Sequence, residues 1–177
     1  MLETTAKDFA LKAHTGQTYG TRDYSFHLEA VVSIAKEFKL KETIVAACWL
    51  HDTIEDCKVS FQDVKDVCGE EVAEMVFCVT DELGRNRKER KLKTYPKIKN
   101  NSDALCVKLC DRIANMQQSF LDNNESLSSM YLKEHPEFKN LLFSDDAPET
   151  LMLLWKRLED LVFNETQKTI NVNSKLS

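Results

Sequence analysis

ETIVAACWLHDTIED, residues 42–56, decides the fold class of this chain. Ile44 to Leu50 form an unbroken apolar run, with small residues inside it and no strand-like alternation. A run of this kind reads as a helix buried on most of its sides. At its end an imidazole and a carboxylate stand side by side, His51 and Asp52, and Glu55 and Asp56 follow about one turn later. Three acids and a histidine at the end of a buried helix are unfavourable unless something cationic neutralises them. A divalent metal ion would do so.

Helical spacing continues on both sides of this stretch. The pattern predicts helices over 2–14, 26–38, 42–53, 60–68, 70–81, 83–99 and 102–119, with two or three more inside 126–166. A polar turn, HTGQTYGTRDY (14–24), follows the first helix. Ser60 opens S-F-Q-D, a capping-box-like start, and Gly69 ends that helix. Pro96 is expected to kink or interrupt the basic segment, Asn123-Asn124 to mark a loop, and Pro136 and Pro148 to lie near helix starts. Only 4 Gly and 3 Pro occur in 177 residues, and no linker or repeat divides the chain. The expectation is an all-α, compact, single-domain helical bundle over 1–166, with a polar, frayed tail over 167–177.

The six cysteines form no CxxC pair or disulfide-like framework, and most sit among apolar helical residues. The first residues, MLETTAKDFALKAH, lack the long apolar region of a signal peptide. No segment approaches the roughly 18–20 apolar residues of a membrane span. A cytoplasmic protein without a membrane partner is expected. Net charge is −5, but from Arg85 to Lys99 eight Lys or Arg face one acid, Glu89. That stretch carries +7 and leaves −12 on the remainder. The imbalance argues against general nucleic-acid binding and for one local anion site; a solvated helix face is equally open on charge alone.

Two more residues complete a donor set with His51 and Asp52. His27 begins a helix in YSFHLEAV, and Asp111 lies in ALCVKLCDRIANM. Imidazole and carboxylate together suit Mn, Fe, Zn, Co or Ni better than Ca or Mg alone. Neighbours on a regular helix point about 100° apart, so His51 and Asp52 share an ion only near the helix end. On helix 102–119, Leu105, Leu109, Ile113 and Met116 form an apolar stripe, and Lys108, Asp111 and Asn115 fall on an adjacent one. Taken singly, His27 reads as a satisfied or surface histidine and Asp111 as a partner of Lys108 or Arg112. The four together read as a metal site. His14 and His135 read as structural.

These residues carry a family resemblance. The chain resembles the HD-domain phosphohydrolase superfamily, and within it the RelA/SpoT-type stand-alone (p)ppGpp hydrolases. The matching segments are AHTGQ (13–17), YSFH (24–27), LHDTIED (50–56), CGEEV (68–72), VTDELG (79–84), ERK (89–91) and VKLCDRIANM (107–116). They span about two thirds of the chain, roughly residues 10–120. The resemblance implies one Mn²⁺, or another divalent transition metal, on His27, His51, Asp52 and Asp111. It implies removal of a 3′-pyrophosphate from a guanosine alarmone, with Glu55 and Asp56 handling the attacking water. Lys108, Arg87 and Lys88 are then candidates for phosphate, Asn115 for sugar or phosphate, and Tyr19 and Arg22 for the base side of a small nucleotide substrate.

The chain also departs from the family pattern. The basic pair usual after the GQ is Thr18-Tyr19-Gly20 here, the Pro usual after the first metal-site His is Leu28, and the Ala usual in VKLAD is Cys110. The first change keeps a second reading open, a phosphatase or pyrophosphatase of NADPH, another nucleotide or a nucleotide second messenger. A third, a non-catalytic nucleotide-binding module, fits poorly with six intact metal and water-handling positions. A homo-oligomer is compatible with all three.

Overall fold

The computed structural model describes the backbone of residues 1–176 and the side chains through Lys168. In chain order the helices are α1 (Leu2–Ala13), α2 (Ser25–Glu37), α3 (Glu42–Leu50), α4 (Thr53–Asp56), α5 (Phe61–Cys68), α6 (Glu70–Val79), α7 (Arg87–Lys99), α8 (Ser102–Leu121), α9 (Glu125–Leu142) and α10 (Glu149–Leu176). The expected all-α class holds. Polar caps set the starts: Ser60 and Asp63 close a reciprocal capping box on α5, and the side chains of Asn86, Asn101 and Asn124 accept from the first turns of α7, α8 and α9. Gly69, at φ +87°, ends α5 and lets α6 begin at the next residue.

The polar turn after α1 contains a small hairpin that periodicity does not reveal. Strands β1 (Thr18–Tyr19) and β2 (Arg22–Asp23) pair antiparallel, Thr18 with Asp23 and Tyr19 with Arg22. Gly20, at φ +62°, supplies the left-handed residue of the two-residue turn.

The prolines are a second correction. α7 runs through Pro96, and Pro136 lies inside α9 rather than near its start. Each ring removes one ladder bond, yet Thr94, Tyr95 and Ile98 of α7 and Tyr131, His135, Phe138 and Leu142 of α9 are buried against the core. That packing outweighs the local penalty. Pro148 does precede the first residue of α10. α10 continues past 166, so no break marks the expected tail; the side chains beyond Lys168 and all of Ser177 lie outside the described residues.

Two helices form the centre. α3 is buried from Ile44 to Leu50 and packs on α1, α2, α6 and α8. α8 touches α2, α3, α6, α7, α9 and α10, and its Leu109, Ile113 and Met116 are fully buried. Burying each such side chain contributes about 1.5–3 kcal/mol. α3 ends at Leu50, so His51 is the first residue beyond the central helix, its Nε2 3.7 Å from Asp111 on the polar edge of α8.

Candidate metal centre and active site

The break between α3 and α4 solves the problem of two adjacent ligand-type residues. His51 caps α3, and Asp52 joins it to α4 at φ −99°, ψ −3°. Thr53 Oγ1 donates to the Leu50 carbonyl at 2.7 Å and holds the break. Both side chains therefore turn toward one point. His51 Nδ1 lies 2.9 Å from the Cys48 carbonyl, which can only accept, so Nδ1 carries the proton and the Nε2 lone pair faces inward.

His27, from the first turn of α2, brings its Nε2 to 3.2 Å from His51 Nε2. Asp52 Oδ2 is 2.9 Å from His51 Nε2 and 3.6 Å from His27 Nε2; Asp111 Oδ1 is 3.7 Å and 3.5 Å away from the same two atoms. Donors about 2.0–2.2 Å from one ion lie roughly 3.0–3.6 Å apart. These five distances are close to the edges of one coordination shell, and His27, His51 and Asp111 each place a donor atom within 4.8 Å of the other two.

Charge leads to the same conclusion. Burial by itself pushes both imidazoles toward neutrality, yet Asp52 and Asp111 more than reverse it, and His51 is held well above its ordinary range. Burial likewise opposes both carboxylates, but His51, His27 and, for Asp111, Lys108 keep them well below theirs. Two nitrogen and two oxygen donors converge where a cation would sit between the two buried carboxylates. The donor set fits a divalent transition metal.

Asp111 is held on both oxygens. Lys108 donates to Oδ2 at 2.8 Å and the Asn115 amide to Oδ1, so the polar edge of α8 read from the sequence is a continuous hydrogen-bonded row. Glu55 and Asp56 line the same cleft. Burial pushes both carboxyls up, helped by Asp81 and Asp52 for Glu55 and by Asp52 for Asp56. Glu55 accepts from the Asp81 backbone N–H at 3.0 Å.

Opposite the acids stands a basic wall. Arg87, Arg90 and Lys91 lie at i, i+3 and i+4 on α7 and line the cleft with Lys108 and Arg112 of α8. Arg87 pairs with Glu134, which also takes the buried Arg112. Lys91 pairs with Asp81 at 2.9 Å, and burial pushes its ammonium down to about 8 despite that partner. Arg90 has no ion-pair partner among the described residues, and its Nε is buried without a hydrogen bond. Gly84 makes room for it, since a Cβ there would come within 2.9 Å of Arg90 Cγ and backbone N.

Two of the expected substrate contacts are not brought to the cleft. Lys88 follows Arg87 by one residue, about 100° around α7, and points outward to Glu137. Arg22 is held in a two-pronged pair with Asp122 at 3.0 Å and covers the Phe26 ring. Tyr19 does line the cleft, but its ring stacks on His27 (4.8 Å, 9°) and its hydroxyl donates to Asn115 at 2.8 Å. His135 is structural, bonded to Glu159. His14 is buried against the Tyr24 ring, next to the site.

From the sequence, Tyr24, Asp81 and Lys91 carry no site role, Arg90 enters only as the end of the basic Arg85–Arg90 segment that could neutralise phosphate charge, and Arg112 only as an alternative partner of Asp111. Tyr24 donates to Asp52 at 2.6 Å and lies 3.2 Å from Asp56 Oδ2. The signal for the basic wall was the i, i+3, i+4 spacing within Arg87–Lys91; for Tyr24 it was proximity to His27.

A family profile described as "HD domain" matches residues 6–131, well over half of the chain. The chain belongs to the HD domain family. The bifunctional (p)ppGpp synthase/hydrolase SpoT of Escherichia coli K12 is 35% identical over 116 residues, 61% of this chain and 16% of that protein. The chain therefore spans about a sixth of the length of such relatives. The guanosine-3′,5′-bis(diphosphate) 3′-pyrophosphohydrolase MESH1 of Danio rerio is 26% identical over 144 residues, covering 78% of this chain and 79% of the relative. Among solved structures, a metazoan SpoT orthologue that hydrolyses ppGpp superposes with a TM-score of 0.76 at 21% identity, over 93% of this chain and 95% of that one. At that identity the likeness establishes the fold, an HD domain with the architecture described above.

Proposed function

We propose that this HD domain, taken as residues 1–166, is a metal-dependent phosphohydrolase that removes the 3′-pyrophosphate of guanosine alarmones such as (p)ppGpp. The observation that carries the reading is one cleft lined by His27, Asp52 and Asp111, with His51 buried directly behind them, on one side and by the Arg87–Arg90–Lys91–Lys108 wall on the other. The relatives named as 3′-pyrophosphohydrolases of guanosine bis(diphosphate) supply the substrate class.

His27, His51, Asp52 and Asp111 would hold the ion, Mn²⁺ or a similar transition metal. Bound there, it supplies Lewis acidity toward a phosphoryl oxygen and makes water a nucleophile near neutral pH. Asp56 or Glu55, each raised toward neutrality by burial, takes the proton as the water oxygen bonds to the phosphorus on the 3′ oxygen. The bond from that phosphorus to the 3′ oxygen breaks, the 3′ oxygen takes up a proton and pyrophosphate leaves. Arg90, Lys91 and Lys108 neutralise the phosphate charge as it shifts. Tyr24, bonded to Asp52 and facing Asp56, keeps the ligand and the base in register. All six thiols are free, which fits a reducing, cytoplasmic location; no helix among the described residues is long and apolar enough to cross a membrane.

A second reading, hydrolysis of NADPH or another nucleotide, is favoured by the hairpin: Thr18 and Tyr19 stand where the family carries a basic pair, and Tyr19 is already engaged. One assay separates them. Mn²⁺-dependent release of pyrophosphate from ppGpp, lost in Asp111→Ala, supports the alarmone reading. Inert ppGpp with turnover of NADPH or another nucleotide overturns it in favour of the second.

A further inference from the structure

We infer that Tyr19 is a positioning residue for the metal centre, its hydroxyl setting Asn115 against Asp111 while its ring backs His27. The inference rests on the metal-site reading above and adds a role for a residue at which this chain departs from its family.

The geometry joins one side chain to two ligand-type residues. The Tyr19 hydroxyl donates to Asn115 Oδ1 at 2.8 Å. Asp111, which can only accept, turns Nδ2 toward its Oδ1, and the Tyr19 hydroxyl holds the amide there by donating to the carbonyl on its other side. Oδ1 is the oxygen that approaches His27 and His51, while Oδ2 is occupied by Lys108. The setting of Asp111 Oδ1 therefore depends on an amide that Tyr19 anchors from behind. On its other front, the Tyr19 ring lies parallel to His27, 9° apart with centroids at 4.8 Å, and limits rotation of the imidazole. Losing a group that orients a ligand from behind typically costs about 10–100-fold in metal affinity.

The hairpin that carries Tyr19 is itself anchored. Tyr19 pairs across the strands with Arg22, and Arg22 makes its two-pronged pair with Asp122. Asn115 of α8 and Asp122, the residue that caps its C-terminus, lie seven residues apart, so the hairpin grips this helix at two points about two turns apart. A lysine at position 19 could donate to Asn115 but has no ring to lie flat on His27. The same contacts leave Asn115 with its carbonyl taken by Tyr19 and its amide by Asp111, which makes it a support for the ligand rather than a free contact for sugar or phosphate.

The test uses full-length protein stripped of metal and titrated with Mn²⁺. Tyr19→Phe keeps the ring and removes only the hydroxyl; the Mn²⁺ dissociation constant should weaken by roughly 10–100-fold. Thermal melting of the metal-free variant, shifted by only about 2–4 °C, checks that it folds. Because Tyr19 acts through Asn115, the double variant Tyr19→Phe/Asn115→Ala should bind Mn²⁺ no more weakly than Asn115→Ala alone. An unchanged Mn²⁺ affinity in Tyr19→Phe overturns the inference, as does additivity in the double variant, or a raised KM for nucleotide with metal affinity intact. Wild-type protein that takes up no Mn²⁺ overturns the metal-site reading itself, which separates the two failures.

Discussion

Glu134 offers a measurable test of how the basic wall is held. Its carboxylate takes two guanidinium groups, Arg87 through a two-pronged contact at 2.7 and 3.2 Å and Arg112 at 3.1 Å. Arg112 is only 4% exposed, so Glu134→Ala leaves a buried cation without its counter-charge. Breaking a buried pair from one side costs about 3–5 kcal/mol. Here the loss is smaller. Arg112 keeps its bond to the Tyr131 carbonyl at 2.9 Å and the ring faces of Tyr131 and Phe138, and Glu134 is 27% exposed. A destabilisation of about 2–3 kcal/mol follows, equivalent to a fall of about 4–12 °C in Tm for a chain of this size. The control is Glu137→Ala, which breaks the exposed Lys88–Glu137 pair and should change stability by less than about 1 kcal/mol. Thermal melts of both variants at one fixed metal concentration decide the matter. Equal, small shifts in the two would refute the claim that Glu134 is the counter-ion of a buried arginine.

Three further outcomes are expected. Asp111→Ala should lose both bound metal and turnover, whereas Asp56→Ala should keep metal stoichiometry while losing about 10²–10⁴ in kcat; metal analysis beside kinetics distinguishes ligand from base. Removing metal by chelation should lower Tm, since a ligand at 100 times its Kd contributes about 2.7 kcal/mol; a Tm indifferent to chelator would count against a site on His27 and His51. Lys91, pushed down to about 8, is charged below that pH and neutral above it in the free enzyme. KM for a phosphate-bearing substrate should therefore rise as pH passes about 8, and Lys91→Arg should flatten that rise; a KM independent of pH from 7 to 9.5 would remove Lys91 from the phosphate site.

The chemistry of the candidate site was more legible in the sequence than its geometry. Four donor-type residues, His27, His51, Asp52 and Asp111, were recognisable because each sits at an abrupt polar position beside an apolar helix, and the structure brings all four together. The row Lys108, Asp111, Asn115 was readable from helical period alone. The assignment of Lys88 went astray because a basic run has no visible face until its helix is docked; Arg87, Arg90 and Lys91 turn inward and Lys88 does not. Arg22 and Tyr19 depend on a two-residue-per-strand hairpin, too short for any periodicity to show. Tyr24 and Asp81 act through contacts with residues 28 and 10 positions away in sequence, Asp52 and Lys91, and nothing local announces such pairings. The prolines misled for a related reason, since only tertiary packing decides whether a helix survives one.

α8 concentrates four functional side chains on a single continuous element: Lys108, Asp111, Arg112 and Asn115 all project from it at fixed angular offsets. Inserting or deleting one residue before Lys108 within this helix would turn the whole set by about 100°, carrying Asp111 from the cleft and burying polar groups where Leu109 and Ile113 now pack. The region should thus tolerate exchange of one side chain for another far better than any change of length. Length variation belongs in the turn at 143–148, which precedes α10, a helix that sends no side chain into the cleft.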